Sequence, residues 1–396
     1  MNRGKSPNRG ANELEPLAPD MPPGVVVAHY PQSSGVYVGS PSLIILPTGD
    51  YVATHDLFGP HAPPGHTHVY GSRDRGATWS RLVQLTDQFW SNLFLHRRTL
   101  YLFGTSREYG NVILRRSEDG GKNWSIPRDK NSGIIRDGGQ YHCAPMPVAI
   151  WKNRLWRAFE RRDPARGWAE NFQSVVMSAS ESADLLRSDS WFISRPLSRP
   201  RLPAIGAWLE GNIVETREGT LVNVLRADTR QDEMAAIVEV APDGRSERFD
   251  PAAGLIPFPG GAKKFTIRFD PQTGRYWSVA TIQLGTDKGK AAPGSIRNTL
   301  ALTASPDLRH WEVMSILLHH PEFIHHGFQY VDWQFDGSDD IAFVCRTAFD
   351  DGEGGAHNCH DSNFLTFHRV SRFRERTMRD PLLDGDIPPP PTKAGL

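Results

Sequence analysis

The chain is short of cysteine, of net charge and of long apolar runs. Only three cysteines, Cys143, Cys345 and Cys359, occur in 396 residues, and an odd count does not build a disulfide framework. Cys143 and Cys345 sit in apolar, strand-like runs and read as small buried side chains; a Cys345–Cys359 bridge is the one pairing considered. Lys+Arg and Asp+Glu number 45 each, for a formal net charge of zero, so nothing marks the chain as a nucleic-acid binder. No apolar run is long enough to make a membrane-spanning helix, and no membrane partner is expected. The first 23 residues are polar and lack a hydrophobic leader core. The chain therefore reads as cytoplasmic, with export of a longer parent as the alternative. The cluster His357, Cys359, His360 and Asp361 matches no zinc-ligand spacing. No metal and no cofactor are expected.

What the chain does have is 11 Trp, 19 Phe, 36 Gly and 31 Pro, a composition suited to many short strands joined by tight turns. A unit of two apolar runs around a short polar turn recurs along it. Examples are Pro41–Leu46 with Tyr51–Thr54, Met146–Ile150 with Leu155–Phe159, and Phe328–Phe335 with Asp340–Cys345. Each unit is followed by a third and usually a fourth strand, at intervals typical of propeller blades. The expectation is an all-β propeller of four-stranded blades, six by this reading, with room for a seventh in stretches read as loops. The run Val25–Tyr30 precedes the first unit and is expected to supply the outer strand of the last blade, so that no edge is left open. The expected organisation is a disordered segment at 1–23, one propeller domain at 24–375 and a tail at 376–396, the whole acting as a monomer.

The sharpest motif is Ser72-Arg-Asp74-Arg-Gly76-Ala-Thr78-Trp79. Ser117-Glu-Asp119-Gly-Gly121-Lys-Asn-Trp124 nearly repeats it, and Ser305-Pro-Asp307-Leu-Arg-His-Trp311 is a shortened copy. The Asp accepts turn N–H groups, the Gly takes a positive φ and the Trp packs between sheets. The motif is a structural turn and does not state a reaction.

Propeller topology sorts residues by face. Turns inside the first strand pair and between strands three and four open on one side. Ends of second strands and starts of first strands open on the other. That second face collects His55, Arg226 and Arg346 from second-strand ends, and His142, Glu210, Asn212, Lys264 and Tyr330 from first-strand starts. Arg297, at the start of a third strand, joins them. Such a ring of cations suits an acidic sugar, because guanidinium and carboxylate pair in a planar, bidentate way.

The three turns resemble the Asp-box of sialidase-like propellers, and the inner strands resemble theirs too. Trp208-Leu-Glu210-Gly and the strand ending at Arg226 resemble the sialidase run carrying a Glu and an Arg. Arg297-Asn-Thr-Leu-Ala resembles the run with their last carboxylate-binding Arg, and Tyr330 sits where they carry a nucleophilic Tyr. The resemblance implies that Glu210 activates Tyr330 while Arg226 and Arg297 hold a substrate carboxylate. It departs in the first blade, where Tyr37-Val-Gly-Ser40-Pro-Ser-Leu carries no Arg. Tyr141-His142-Cys-Ala-Pro, Phe258-Pro-Gly-Gly-Ala-Lys-Lys and Gly327-Phe-Gln-Tyr330-Val-Asp-Trp resemble propeller enzymes that cleave rhamnosyl-glucuronate linkages, lyases or hydrolases. That likeness implies His142 and Tyr330 as acid and base for elimination, or His55 for hydrolysis, with Arg226, Arg297, Arg346, Asn212 and Lys264 as substrate contacts. The expected function is cleavage of a glycosidic bond beside an acidic sugar, on an acidic oligosaccharide. An exo-sialidase and a non-catalytic glycan- or protein-binding propeller are the alternatives.

Overall fold

The computed structural model describes residues 21–167, 170–202 and 205–383. Six antiparallel sheets succeed one another around a ring. Blade 1 pairs Tyr37–Val38 and Ser42–Ile45 with Tyr51–Phe58, then Thr67–Ser72 and Ser80–Leu85. Blade 2 is Phe89–His96, Thr99–Thr105, Val112–Ser117 and Ile134–Arg136. Blade 3 pairs Tyr141–His142 and Ala149–Trp151 with Arg154–Arg162, then Phe172–Ser180 and Trp191–Ile193. Blade 4 is Ala207–Glu215, Leu221–Asp228, Met234–Val240 and the outer pieces Glu247–Phe249 and Leu255–Pro257. Blade 5 is Phe265–Asp270, Arg275–Thr281, Thr299–Ser305 and Glu312–His319. Blade 6 is Gly327–Asp336, Asp340–Ala348 and Phe364–Val370, and its outermost strand is Val25–His29 from the start of the chain. The ring closes as the sequence suggests, and no seventh blade is present among the described residues. Residues 376–383, read as tail, lie on blade 5: Leu382 packs with Ile282, Ala301 and Ile316, and Leu383 N–H donates to Leu317 O at 2.9 Å. Most of 1–23 and the Pro388–Leu396 stretch lie outside the described residues.

The core sits between neighbouring blades. Phe103, Phe159 and Trp191 join blades 2 and 3, and Trp277, Trp333 and Phe343 join blades 5 and 6. Period-two alternation puts these side chains on the blade faces. His96 lies in one such seam, buried, with its Nε2 2.8 Å from Glu181 O.

Five of the six first strands fall into two kinds, while that of blade 5, Phe265–Asp270, is continuous and regular. In blades 1 and 3 the strand is broken where Pro41, and Pro145 with Pro147, cannot donate to a ladder. In blades 2, 4 and 6 it is continuous and carries a bulge, between Phe89 and Asn92, Leu209 and Asn212, and Gln329 and Asp332. Inside each bulge a non-glycine residue takes a left-handed backbone: Trp90 at φ 48°, Glu210 at 60° and Tyr330 at 55°. A bulge re-aims one side chain out of the alternation, and a left-handed non-glycine persists only where its surroundings impose it.

Candidate active site

The bulged residues of blades 4 and 6 meet. Tyr330 Oη donates to Glu210 Oε1 at 2.8 Å, and Arg226 Nη1 donates to Glu210 Oε2 at 3.1 Å. Burial pushes the Glu210 carboxyl up, but Arg226, His142 and the Tyr330 hydroxyl outweigh it and hold the group below its ordinary value. Burial and the Glu210 charge push the Tyr330 phenol the other way, above its ordinary value. The pair is thus a carboxylate accepting from a neutral phenol.

Blades 4 and 6 use one device. Arg226 stands sixteen residues after Glu210, and Arg346 follows Tyr330 at the same interval. Leu209 opposes Arg226 and Gln329 opposes Arg346 across the strand pair, so each arginine lies beside a bulge. Arg346 stacks over the Tyr330 ring at 4.9 Å and over Phe58 at 4.6 Å, and it donates to His360 O. Arg297, from blade 5, donates to the side chain of Gln329. All three guanidiniums are nearly fully buried. Arg226 has Glu210 as counter-ion, whereas neither Arg297 nor Arg346 forms an ion pair among the described residues. Burial pulls both below the ordinary arginine value, Arg346 to about 10, and each is depressed further by a neighbouring arginine.

Blade 3 contributes His142. Its Nδ1 meets Glu160 Oε2 at 2.7 Å, and its ring lies between Trp90 at 4.4 Å and Phe172 at 4.7 Å. The other Glu160 oxygen accepts the Glu210 backbone N–H at 2.7 Å. Glu160 therefore joins His142 to the strained bulge that aims Glu210.

Glu210, Tyr330, Arg226, Arg297, Arg346 and His142, all named from the sequence, come together at this mouth. Three others make their hydrogen bonds elsewhere. His55 is wholly buried inside blade 1, its Nδ1 on Asp56 O at 2.9 Å and its Nε2 within 3.3 Å of Tyr30 Oη. Burial drives its pKa down to about 3. Asn212 bridges blades 4 and 5, accepting Ile267 N–H at 2.9 Å and donating to Phe265 O at 3.2 Å. Lys264 is buried with its Nζ on Val331 O at 2.6 Å and Thr266 Oγ1 at 2.7 Å, tying blade 5 to blade 6. These two side chains act as struts between blades. Sequence reasoning missed Trp90, Phe58 and Gln329 as members of the site; Glu160, at a second-strand end, falls on the same face by topology but carries no role in the sequence. The repeated sixteen-residue interval was the signal available for the two bulges.

Cys143, Cys345 and Cys359 are all free, and Cys359 Sγ turns to Ser295 O, away from the His357–Asp361–His360 clasp. His320, Glu322 and His326 place ligand atoms within 4.8 Å of one another. Their two imidazoles, however, stack face to face at 3.6 Å, so one ion cannot lie in both ring planes.

No family model matches the chain, and no curated protein matches it. Solved structures do. An α-L-arabinanase of Penicillium chrysogenum complexed with arabinobiose is similar at 15% identity, over 89% of this chain and 98% of that one, with a TM-score of 0.56. The GH93 α-L-arabinofuranosidase of Fusarium graminearum is similar at 11% identity, over 89% and 98%, with a TM-score of 0.56. The leech intramolecular trans-sialidase is similar at 13% identity, over 89% and 70%, with a TM-score of 0.54. At these identities the likeness shows the fold alone: a six-bladed β-propeller like those of the three structures.

Proposed function

We propose that the protein is a carbohydrate-active enzyme that cleaves a glycosidic bond at a carboxylated sugar. The observation that carries this is the pair Arg297 and Arg346: two nearly fully buried cations beside Tyr330 with no carboxylate partner in the described protein. A buried charge is costly unless it is paired, and guanidinium recognises carboxylate bidentately. The first-blade arginine that sialidases carry is missing, and Arg346 of blade 6 supplies a third cation instead. The named activities of the similar structures, on arabinosides and sialosides, support a sugar-cleaving reading.

Hydrolysis suits the site best. Tyr330 Oη attacks the anomeric carbon and passes its proton to Glu210, while His142 protonates the leaving oxygen as the C–O bond breaks. Water then attacks the same carbon, giving a proton to His142; the Tyr330–carbon bond breaks and Tyr330 recovers its proton from Glu210. One glycoside and one water become a sugar and an alcohol. An elimination with Tyr330 as the base would need it to start as a phenolate, which burial and the Glu210 charge oppose.

The test is incubation with a rhamnose-capped glucuronate oligosaccharide and, separately, an α-sialoside. Released sugar without ultraviolet absorbance means hydrolysis of the substrate that yields it. A rising absorbance from a C4–C5 double bond would replace hydrolysis with elimination. If neither substrate is cut and calorimetry shows no binding of glucuronate or sialate, the carboxylated-sugar reading fails.

A further inference from the structure

We propose that Glu160 is the positioning residue of this site, locking His142 as proton donor and holding the Glu210 bulge with the same carboxylate. The proposal rests on the reading of the mouth given above and adds to it a residue and a role.

Where blades 2 and 4 carry a bulge, the preceding blade offers a buried carboxylate from its second strand to the bulged amide. Asp56 of blade 1 accepts Trp90 N–H at 2.7 Å, and Glu160 of blade 3 accepts Glu210 N–H at 2.7 Å. At the third bulge, Thr281 of blade 5 donates its hydroxyl to Phe328 O at 2.6 Å. Asp56 and Glu160 are thus equivalent clamps, but their second oxygens differ. Asp56 Oδ1 accepts from Thr67 Oγ1 at 2.8 Å, a structural bond. Glu160 Oε2 faces His142 Nδ1 at 2.7 Å, and His142 is its cross-strand neighbour.

A carboxylate on Nδ1 does two things to an imidazole. It fixes the ring and the tautomer, and it stabilises the imidazolium. With Nδ1–H committed to Glu160, Nε2 is the atom left to give a proton to a leaving oxygen. The remaining neighbours of His142 are the Glu210 carboxylate and the rings of Trp90, Tyr109 and Phe172. Arg157, Cys143 and Glu247 are the charged or titratable groups that face Glu160. Glu160 itself is wholly buried with both oxygens engaged, so it acts through His142 and Glu210 and not on substrate.

Glu160→Gln separates the two tasks. The amide oxygen still accepts Glu210 N–H, while the charge opposite His142 is gone. In the full chain labelled with ¹⁵N-histidine, and with His142→Asn used to assign the signal, the variant is expected to lower the His142 titration midpoint by a pH unit or more. An unchanged midpoint overturns the proposal, whether or not a substrate is known. With a cleavable carboxylated glycoside, kcat/KM is expected to fall about 100-fold on an alkyl leaving group and less than ten-fold on a nitrophenyl leaving group, which needs no proton. Asp56→Asn, the equivalent clamp without a histidine, is expected to affect both substrates alike and to leave the His142 midpoint in place. An equal loss on both substrates in Glu160→Gln would reduce Glu160 to a structural clamp. No turnover of either substrate by the unaltered protein would count against the proposed function alone, because the titration still decides the role of Glu160.

Discussion

On the Asp-box face, charge is satisfied locally and in the open. Asp74 accepts from Ser72 Oγ, Thr78 N–H and Thr78 Oγ1. Asp119 does the same with Ser117 and Asn123. The shortened copy keeps the geometry through His310, with Leu308 at φ 67° in the glycine position. Across the ring, at the mouth, charge is buried, its pairs Arg226–Glu210 and His142–Glu160 join different strands of a blade, and Arg297 and Arg346 have no counter-ion within the described protein. Local satisfaction gives a stable turn with no reactivity. Long-range, incomplete satisfaction is what a ligand can complete. The difference predicts that stability and activity respond to different faces.

The largest effect expected is at the mouth. Arg297→Met removes a buried, unpaired cation while filling a similar volume. Loss of one partner of a charged contact with ligand costs roughly 2–5 kcal/mol, so kcat/KM on the cleaved glycoside should fall about 100-fold or more. Thermal stability should stay level or rise, because the desolvated charge is gone. Initial rates and a melting curve read both. A large drop in melting temperature would show that Arg297 is a structural cation and would erase the contrast between the faces.

Gly76→Ala should invert that pattern. Gly76 sits at φ 91°, and an added Cβ would lie 2.1 Å from the Phe367 ring of blade 6. The clash presses on the seam where the ring closes. A loss of about 2–4 kcal/mol is expected in chemical unfolding, with kcat/KM of the folded fraction unchanged.

Acidic groups sharpen the comparison through pH. Asp74 and Asp307 are depressed to about 2, by the Thr78 hydroxyl in the first and, against burial, by His310 in the second. Their contribution is present above the unfolded carboxylate value and is lost as pH falls toward about 2. Glu247, wedged between blades 3 and 4 on Ser174, Ser194 and Asn223, is raised to about 7 by burial. The folded state holds that proton more tightly than the unfolded chain does. Its contribution is therefore present below the unfolded value of roughly 4.5 and is lost as pH rises through about 7. Glu247→Gln, neutral at every pH, should become more stable relative to the parent between pH 5 and pH 8, by on the order of 2 kcal/mol. Denaturant midpoints across that range would show it; parallel pH curves would mean that Glu247 is ionised throughout.

The two faces also differ in how far the sequence discloses them. An Asp-box is eight residues long and makes its bonds within itself, so the motif at Ser72–Trp79 is readable in place, and with it the sorting of faces. That sorting is enough to bring Glu210, Tyr330 and the three arginines to one mouth. It does not say which way a side chain at a strand end points. His55 and Asp56 are adjacent, and the alternation that turns His55 into blade 1 gives Asp56 to the Trp90 amide. Asn212 and Lys264 reach between blades because a bulge or a late strand start sets their direction, and neither has a local signature. Trp90 was hidden for the same reason: its importance comes from a left-handed backbone inside an apolar run.

Left-handed residues give the smallest and cleanest comparison. Trp90, Glu210 and Tyr330 hold that conformation at the mouth, where neighbouring blades impose it and the side chain is needed. Arg97 at φ 50° and Arg98 at φ 67° hold it in the exposed turn between the first two strands of blade 2, and Lys152 at φ 48° and Asn153 at φ 57° do so in blade 3. Two consecutive left-handed residues make the hairpin turn whose twist matches the strands, and Gly or Asn suits it best. In that turn the arginine side chains are exposed, so only the backbone preference is at stake. Arg98→Gly should stabilise the protein by about 0.5–1 kcal/mol, a shift of a degree or two in melting temperature at this chain length, with no change in kcat/KM. Glu210→Gly relieves the same strain at the mouth, but it removes the carboxylate that Tyr330 and Arg226 share, so any gain in stability should come with loss of activity. If Arg98→Gly instead destabilises, the turn is held by its side chains, and the strain at the mouth can no longer be read as a mark of function by contrast with it.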